Sequence, residues 1–110
     1  MTPEIVLSLA ALGGATMVII RLSGSPRPPT WLAIGHGLIA VVGLGLLCNV
    51  AMQSGIQPME QLALGGFILA AIGGAVIFSL FHLRNQPLPI PLVLGHGLIA
   101  IISLTLLLMY

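Results

Sequence analysis

Four stretches of this chain, residues 5–22, 31–52, 62–83 and 91–110, are apolar almost without interruption. Each approaches or exceeds the ~18–20 residues that a helix needs to cross the hydrocarbon layer of a bilayer. Between them lies little more than short connections. The chain therefore reads as four transmembrane helices and almost nothing else.

Composition agrees. Hydrophobic residues make up 58% of the 110 residues, charged residues 5%, and the mean hydropathy is +1.20. A soluble domain carries roughly 25% charged residues, and a chain this short has no core large enough to hide so much apolar surface. The 14 glycines and 8 prolines would unsettle a soluble bundle but are tolerated in membrane helices. Only Thr2, Pro3 and Glu4 separate Met1 from the first apolar stretch, with no basic leader region, so that stretch is expected to be a membrane helix rather than a cleaved signal. Cys48 stands alone, which excludes a disulfide framework or a thiolate cluster. A net charge of +1 offers no basic surface for nucleic acid.

The three arginines are confined to two of the connections, Arg21 and Arg27 around the first and Arg84 in the third. By the positive-inside rule the loops between helices 1 and 2 and between helices 3 and 4 are expected in the cytoplasm, with both termini outside, as in a bacterial inner membrane. These loops carry Pro26, Pro28 and Pro29 in one case and Pro87, Pro89 and Pro91 in the other. Proline fixes φ and biases its neighbour to extended geometry, so both read as stiff struts.

The chain also repeats itself. Gly35-His36-Gly37-Leu38-Ile39-Ala40 returns as Gly95-His96-Gly97-Leu98-Ile99-Ala100, an offset of 60 residues. In the same register Ala10-Ala11 meets Ala70-Ala71, Gly13-Gly14-Ala15 meets Gly73-Gly74-Ala75, and Pro29 meets Pro89. The expected fold is all-α, a single domain over residues 1–110. It is an integral membrane four-helix bundle built from two tandem helical hairpins, a parallel internal repeat about an axis along the membrane normal.

His36 and His96 each lie about six residues into their helices, on the order of 8–9 Å from the loop end. In an up-down bundle helices 2 and 4 are diagonal neighbours. The small faces Ala33, His36, Ala40, Gly43 and Val93, His96, Ala100, Ser103 should turn inward. At the same depth helices 1 and 3 thin out to Gly13-Gly14 and Gly73-Gly74. An ionisable residue inside a membrane helix is a functional candidate by default, and two histidines at one depth make a candidate metal-ligand pair. The competing reading is that His36 and His96 simply hydrogen-bond across the bundle, with neighbouring glycines for close packing. His82 is matched by Leu22 in the repeat and is expected at the membrane interface without a special role.

The pattern resembles the haem-binding bundle of membrane b-type cytochromes. That resemblance implies haem b held non-covalently, with His36 and His96 as axial ligands. It implies Gly13, Gly14, Gly73 and Gly74 as clearance for the porphyrin, and cations such as Arg21, Arg27 and Arg84 near its propionates. The family's second histidine layer is absent; Asn49, Val50, Leu108 and Met109 occupy the corresponding depth. The chain is also similar to small bacterial four-helix membrane proteins, a likeness that implies no function.

Two functions follow. One is a b-type haem-binding electron-transfer protein or subunit. The other is a non-catalytic accessory or assembly subunit that meets other membrane subunits through its helix faces in the bilayer, with His36 and His96 structural. Hydrolase or transferase chemistry has no carboxylate pair, nucleophile set or phosphate loop to support it. Proton-coupled export by a small multidrug-type carrier lacks its intramembrane acid, since Glu4 and Glu60 both lie at helix ends.

Overall fold

Proline and polar caps mark where the helices begin. The computed structural model describes residues 1–110, with helices α1 (Pro3–Leu22), α2 (Thr30–Ser54), α3 (Pro58–Ile77) and α4 (Ile90–Met109), and α3 runs on into a π-helical turn at Phe78–His82. The Thr2 hydroxyl accepts from the backbone N–H of Ile5 at 3.3 Å and Pro3 opens α1. At α3 the Glu60 carboxylate accepts from the N–H of Gln57 at 3.1 Å and Pro58 opens the helix. Both devices satisfy N–H groups that a helix start leaves without partners. Chain reversals fall at Gly24, Gly55 and Asn85, which have φ of 108°, 73° and 56°, a region glycine enters freely and asparagine more readily than most residues.

Observed helix limits stay close to those expected, with one difference of substance. The third apolar stretch does not run as a continuous α-helix to residue 83: its last turn is π-helical, Leu83 N–H bonding back to the Phe78 carbonyl at 2.9 Å. Such turns are rare and often mark functional positions. Apolar periodicity gives no sign of them.

Each helix packs on two neighbours, α1 on α2 and α4, α3 on α4 and α2, so α2 and α4 face each other across the bundle. All four helices are long and apolar enough to cross a membrane. The molecule is 43 Å long and about 20 Å wide. Leu12, Ile19, Val41, Leu62 and Leu98, drawn from all four helices, are each more than 60% exposed. Soluble monomers rarely leave so continuous an apolar surface in water.

Along its axis the bundle has three layers. At the end holding the chain termini, Leu7, Leu47, Ala63, Phe67 and Leu107 form a closed apolar core. In this layer helices touch through small residues, in two versions. A Cβ on Gly43 would lie 2.8 Å from the Leu7 side chain and 3.2 Å from Val6, whereas in the other hairpin Gly66 on α3 receives the Ser103 hydroxyl. The small residue sits on the second helix in one contact and on the first helix in the other. Either contact is closed to a larger side chain. Gly43→Ala is accordingly expected to destabilise the bundle by about 1–3 kcal/mol through overpacking, measured as a lowered midpoint in thermal or denaturant unfolding in detergent.

The opposite end is a polar clasp between the two proline-rich connections. Arg21 Nε donates to the Leu88 carbonyl at 2.8 Å, the Leu88 N–H donates to the Pro26 carbonyl at 3.0 Å, and Arg27 Nη1 donates to the His82 carbonyl at 3.3 Å. The histidine layer lies between core and clasp.

Candidate functional site: a cavity between two fixed histidines

His36 and His96 come together in the middle layer, their ring centres 6.2 Å apart and their planes 85° to each other. No hydrogen bond joins them. Each is held within its own hairpin: His36 Nδ1–H donates to the Ala10 carbonyl at 2.8 Å, and His96 Nδ1–H to the Ala70 carbonyl at 2.8 Å. Both bonds run from one helix to the backbone of its hairpin neighbour, at positions 60 residues apart. Because the carbonyl can only accept, each Nδ1 carries a ring proton, and in the neutral ring Nε2 keeps its lone pair.

The glycines make that geometry accessible. In an α-helix the Ala10 carbonyl takes the N–H of Gly14 and has a second lone pair for the imidazole. A side chain at Gly14 would stand in the way: its Cβ would lie 3.1 Å from His36 Cε1, and a Cβ at Gly74 would lie 3.1 Å from His96 Cε1. Gly13 and Gly73 face the same rings at 3.7–4.0 Å. Thus Gly14 and Gly74 clear space for the imidazoles themselves, whereas a Cβ at Gly13 or Gly73 would make only ordinary contact. By contrast, a Cβ on Gly35, Gly37, Gly95 or Gly97, the glycines of the repeated motif, would meet nothing within 4 Å.

Both histidines line a cavity of about 450 Å³ that reaches from the core layer to the clasp, within the ~300–1,000 Å³ range usual for small-molecule and cofactor sites. Its walls are apolar, with Phe67, Phe78, Leu44 and Leu104 among them. The inward faces expected for α2 and α4 are borne out: Gly43, Val93 and Ser103 are buried, and Ala33, Ala40 and Ala100 are part-buried.

Of the cations, Arg21 is engaged with the Leu88 carbonyl and Arg84 is exposed and forms no hydrogen bond; neither lines the cavity. His82, expected at the interface, is instead 3% exposed and part of the cavity wall. Its ring stacks on Phe78 at 5.1 Å, and the Thr30 hydroxyl is hydrogen-bonded to its Nε2 at 3.1 Å. Its Nδ1 is the one buried side-chain polar atom in the chain without a partner, an arrangement that costs about 1–3 kcal/mol. Phe78 four residues before His82 is the only local hint of this burial; the contact with Thr30 spans 52 residues and has no local signal.

The donor set fits a metal-bearing planar cofactor. Two imidazoles, each oriented by a bond from Nδ1–H to a carbonyl, match the way metal-ligating histidines are usually held. The chain has no cluster of three or more candidate metal-ligating side chains, so a metal here would have two protein ligands and take the others from outside the chain. Fold and site define a four-helix bundle of membrane-spanning character with a paired-histidine cavity. No family model, curated protein or solved structure matches the chain.

Proposed function

We propose that this protein is a small b-type cytochrome, or the haem-bearing subunit of a larger electron-transfer complex, with His36 and His96 as axial ligands. The observation that carries this reading is the pair of 2.8 Å bonds from Nδ1 to the Ala10 and Ala70 carbonyls, which leaves two Nε2 lone pairs beside one apolar cavity. Haem b, when bound, supplies one-electron chemistry at iron. The residues' own contribution is orientation and exclusion of water. Ala10 and Ala70 hold the ligand rings, Gly14 and Gly74 let them approach the helix backbone, and Phe67, Phe78, Leu44 and Leu104 give the site a low dielectric. The test is a haem titration of purified protein in lipid, in which one equivalent should produce the Soret and reduced α bands of six-coordinate haem. A preparation that stays colourless after haem-replete expression overturns the reading.

A second reading rests on the ring geometry. Centres 6.2 Å apart and planes at 85° also describe an edge-to-face pair, which suits an accessory subunit whose histidines lock the two hairpins together. The same titration separates the two.

The recurrence of equivalent bonds 60 residues apart supports a duplicated hairpin, both copies pointing the same way through the membrane. The proposed location is a bacterial inner membrane with the clasp, and its three arginines, on the cytoplasmic side. A reporter fused after Tyr110 is then expected to be active only outside the cytoplasm, and cytoplasmic activity would reverse the orientation.

A further inference from the structure

The cavity is closed at both ends and open at one side. Pro28, His82 and Leu88 are buried and shut it toward the clasp, and Leu7 and Phe67 are buried and shut it toward the core. The lining residues that are exposed are Ile34, Leu38 and Val41 on α2 and Ala71 and Ala75 on α3. The α2 row has i, i+4, i+7 spacing and lies away from Gly43, which packs on α1. Ala71 and Ala75 are about one turn apart and lie away from Gly66, which receives Ser103 of α4. Both rows therefore border the gap between α2 and α3, the most loosely packed of the four neighbouring helix pairs. They bracket His36 and Gly74 in the chain, so the opening sits at the depth of the histidines. None of these side chains can form a hydrogen bond. The opposite side of the bundle has no such opening. Leu94, Leu98 and Ile101, which match the α2 row 60 residues on, and Ala15, which matches Ala75, are exposed too but do not line the cavity.

We infer that the gap between α2 and α3 is a lateral portal, through which the occupant of the cavity enters from the hydrocarbon layer rather than from water. For the identity of that occupant the inference rests on the haem reading above. A mouth without polar groups offers a hydrated ligand nothing in exchange for the water it must shed. A flat, mainly apolar molecule dissolved in the bilayer meets no such barrier, because it trades contacts with lipid tails for contacts with apolar side chains. The two lips suit passage. Ala71, Gly74 and Ala75 leave the α3 lip low, and on the α2 lip Leu38 and Val41 are more than 60% exposed. Side chains so exposed change rotamer freely, which lets the gap widen without disturbing the core layer. The portal also confers selectivity, since a ligand reaches the histidines in proportion to its solubility in lipid.

The experiment measures rates. Haem b is mixed with the full chain in phosphatidylcholine vesicles and uptake is followed by stopped-flow Soret absorbance; release is followed after adding an excess of a water-soluble haem scavenger. Ala75→Phe fills the mouth and should slow uptake and release alike, by about 10- to 100-fold, with equilibrium affinity and the six-coordinate spectrum unchanged. Leu38→Ala trims the opposite lip and should speed both. Ala15→Phe and Leu98→Ala make the same chemical changes on the closed side of the bundle and should leave both rates at the wild-type value. A merely structural effect would instead move the affinity or the spectrum, and would not separate a position from its counterpart. A six-coordinate wild type whose rates are unaltered in either portal variant, or shift as much in the counterpart variants, overturns the portal and leaves the haem reading standing. No Soret band in wild type overturns both.

Discussion

Replacing His36 or His96 with alanine is expected to abolish the six-coordinate haem spectrum and to weaken haem binding by at least about 100-fold, while the bundle stays folded. The two parts of that expectation have different causes. An axial ligand is a direct bond to the metal, and even the outer-shell partners of ligands are typically worth 10–100-fold in affinity. The fold loses much less. The Ala10 carbonyl released by His36→Ala still has its helical N–H partner, so the loss is one net hydrogen bond of about 1 kcal/mol and the packing of one part-buried ring. Either single variant should be as damaging to haem binding as the double variant, because both ligands serve one centre. The readout is the optical titration with circular dichroism of the same samples. If the histidines only lock the hairpins together, the variants will lower the unfolding midpoint and the wild type will not take up haem.

The second large effect is expected at the glycines that face the rings. Gly14→Leu and Gly74→Leu place a branched side chain where the imidazole lies, and should displace the ring, break its 2.8 Å bond to the carbonyl and reduce haem binding nearly as much as loss of the ligand. Alanine is the graded case. With its Cβ at 3.1 Å from Cε1 the ring must give by a few tenths of an ångström, so a weakening of roughly 3- to 10-fold is expected, in line with a partial loss of one net hydrogen bond. The internal control is Gly37→Ala or Gly97→Ala, whose added methyl meets nothing within 4 Å. These changes should leave the spectrum intact and stabilise the helix by about 0.5–1 kcal/mol, the ordinary difference between alanine and glycine in a helix interior. Equal damage at Gly14 and Gly37 would overturn the role assigned to the Gly-Gly pairs.

These pairs show where residue pattern and packing part ways. Gly13-Gly14 and Gly73-Gly74 are visible in the sequence at the histidine depth, and their opposition to the histidines is readable from helix rise alone. Their purpose is not. Clearance for a porphyrin and clearance for an imidazole demand the same residue, and only the direction in which each ring points distinguishes them. His82 is a sharper case. Placed next to Arg84 at a helix end, it reads as a solvated interfacial residue, but the π-helical turn and the Arg27 and Thr30 contacts draw it inside. Arg84, which has the same sequence credentials as Arg21, stays outside.

What the sequence by itself determined is the part of the molecule governed by local properties. Run length and apolarity define four helices long and apolar enough to cross a membrane, proline and glycine mark their ends, and a count along each helix puts His36 and His96 at one depth. Tertiary structure alone decided what the histidines do there. Their partners are the backbone carbonyls of Ala10 and Ala70, and a carbonyl is common to every residue, so no side chain announces it. The cavity, the clasp and the burial of His82 depend on contacts between residues 26 to 67 positions apart. In helices apolar on nearly all sides, small residues mark the inward faces of α2 and α4, but which neighbour each face meets is decided by close packing.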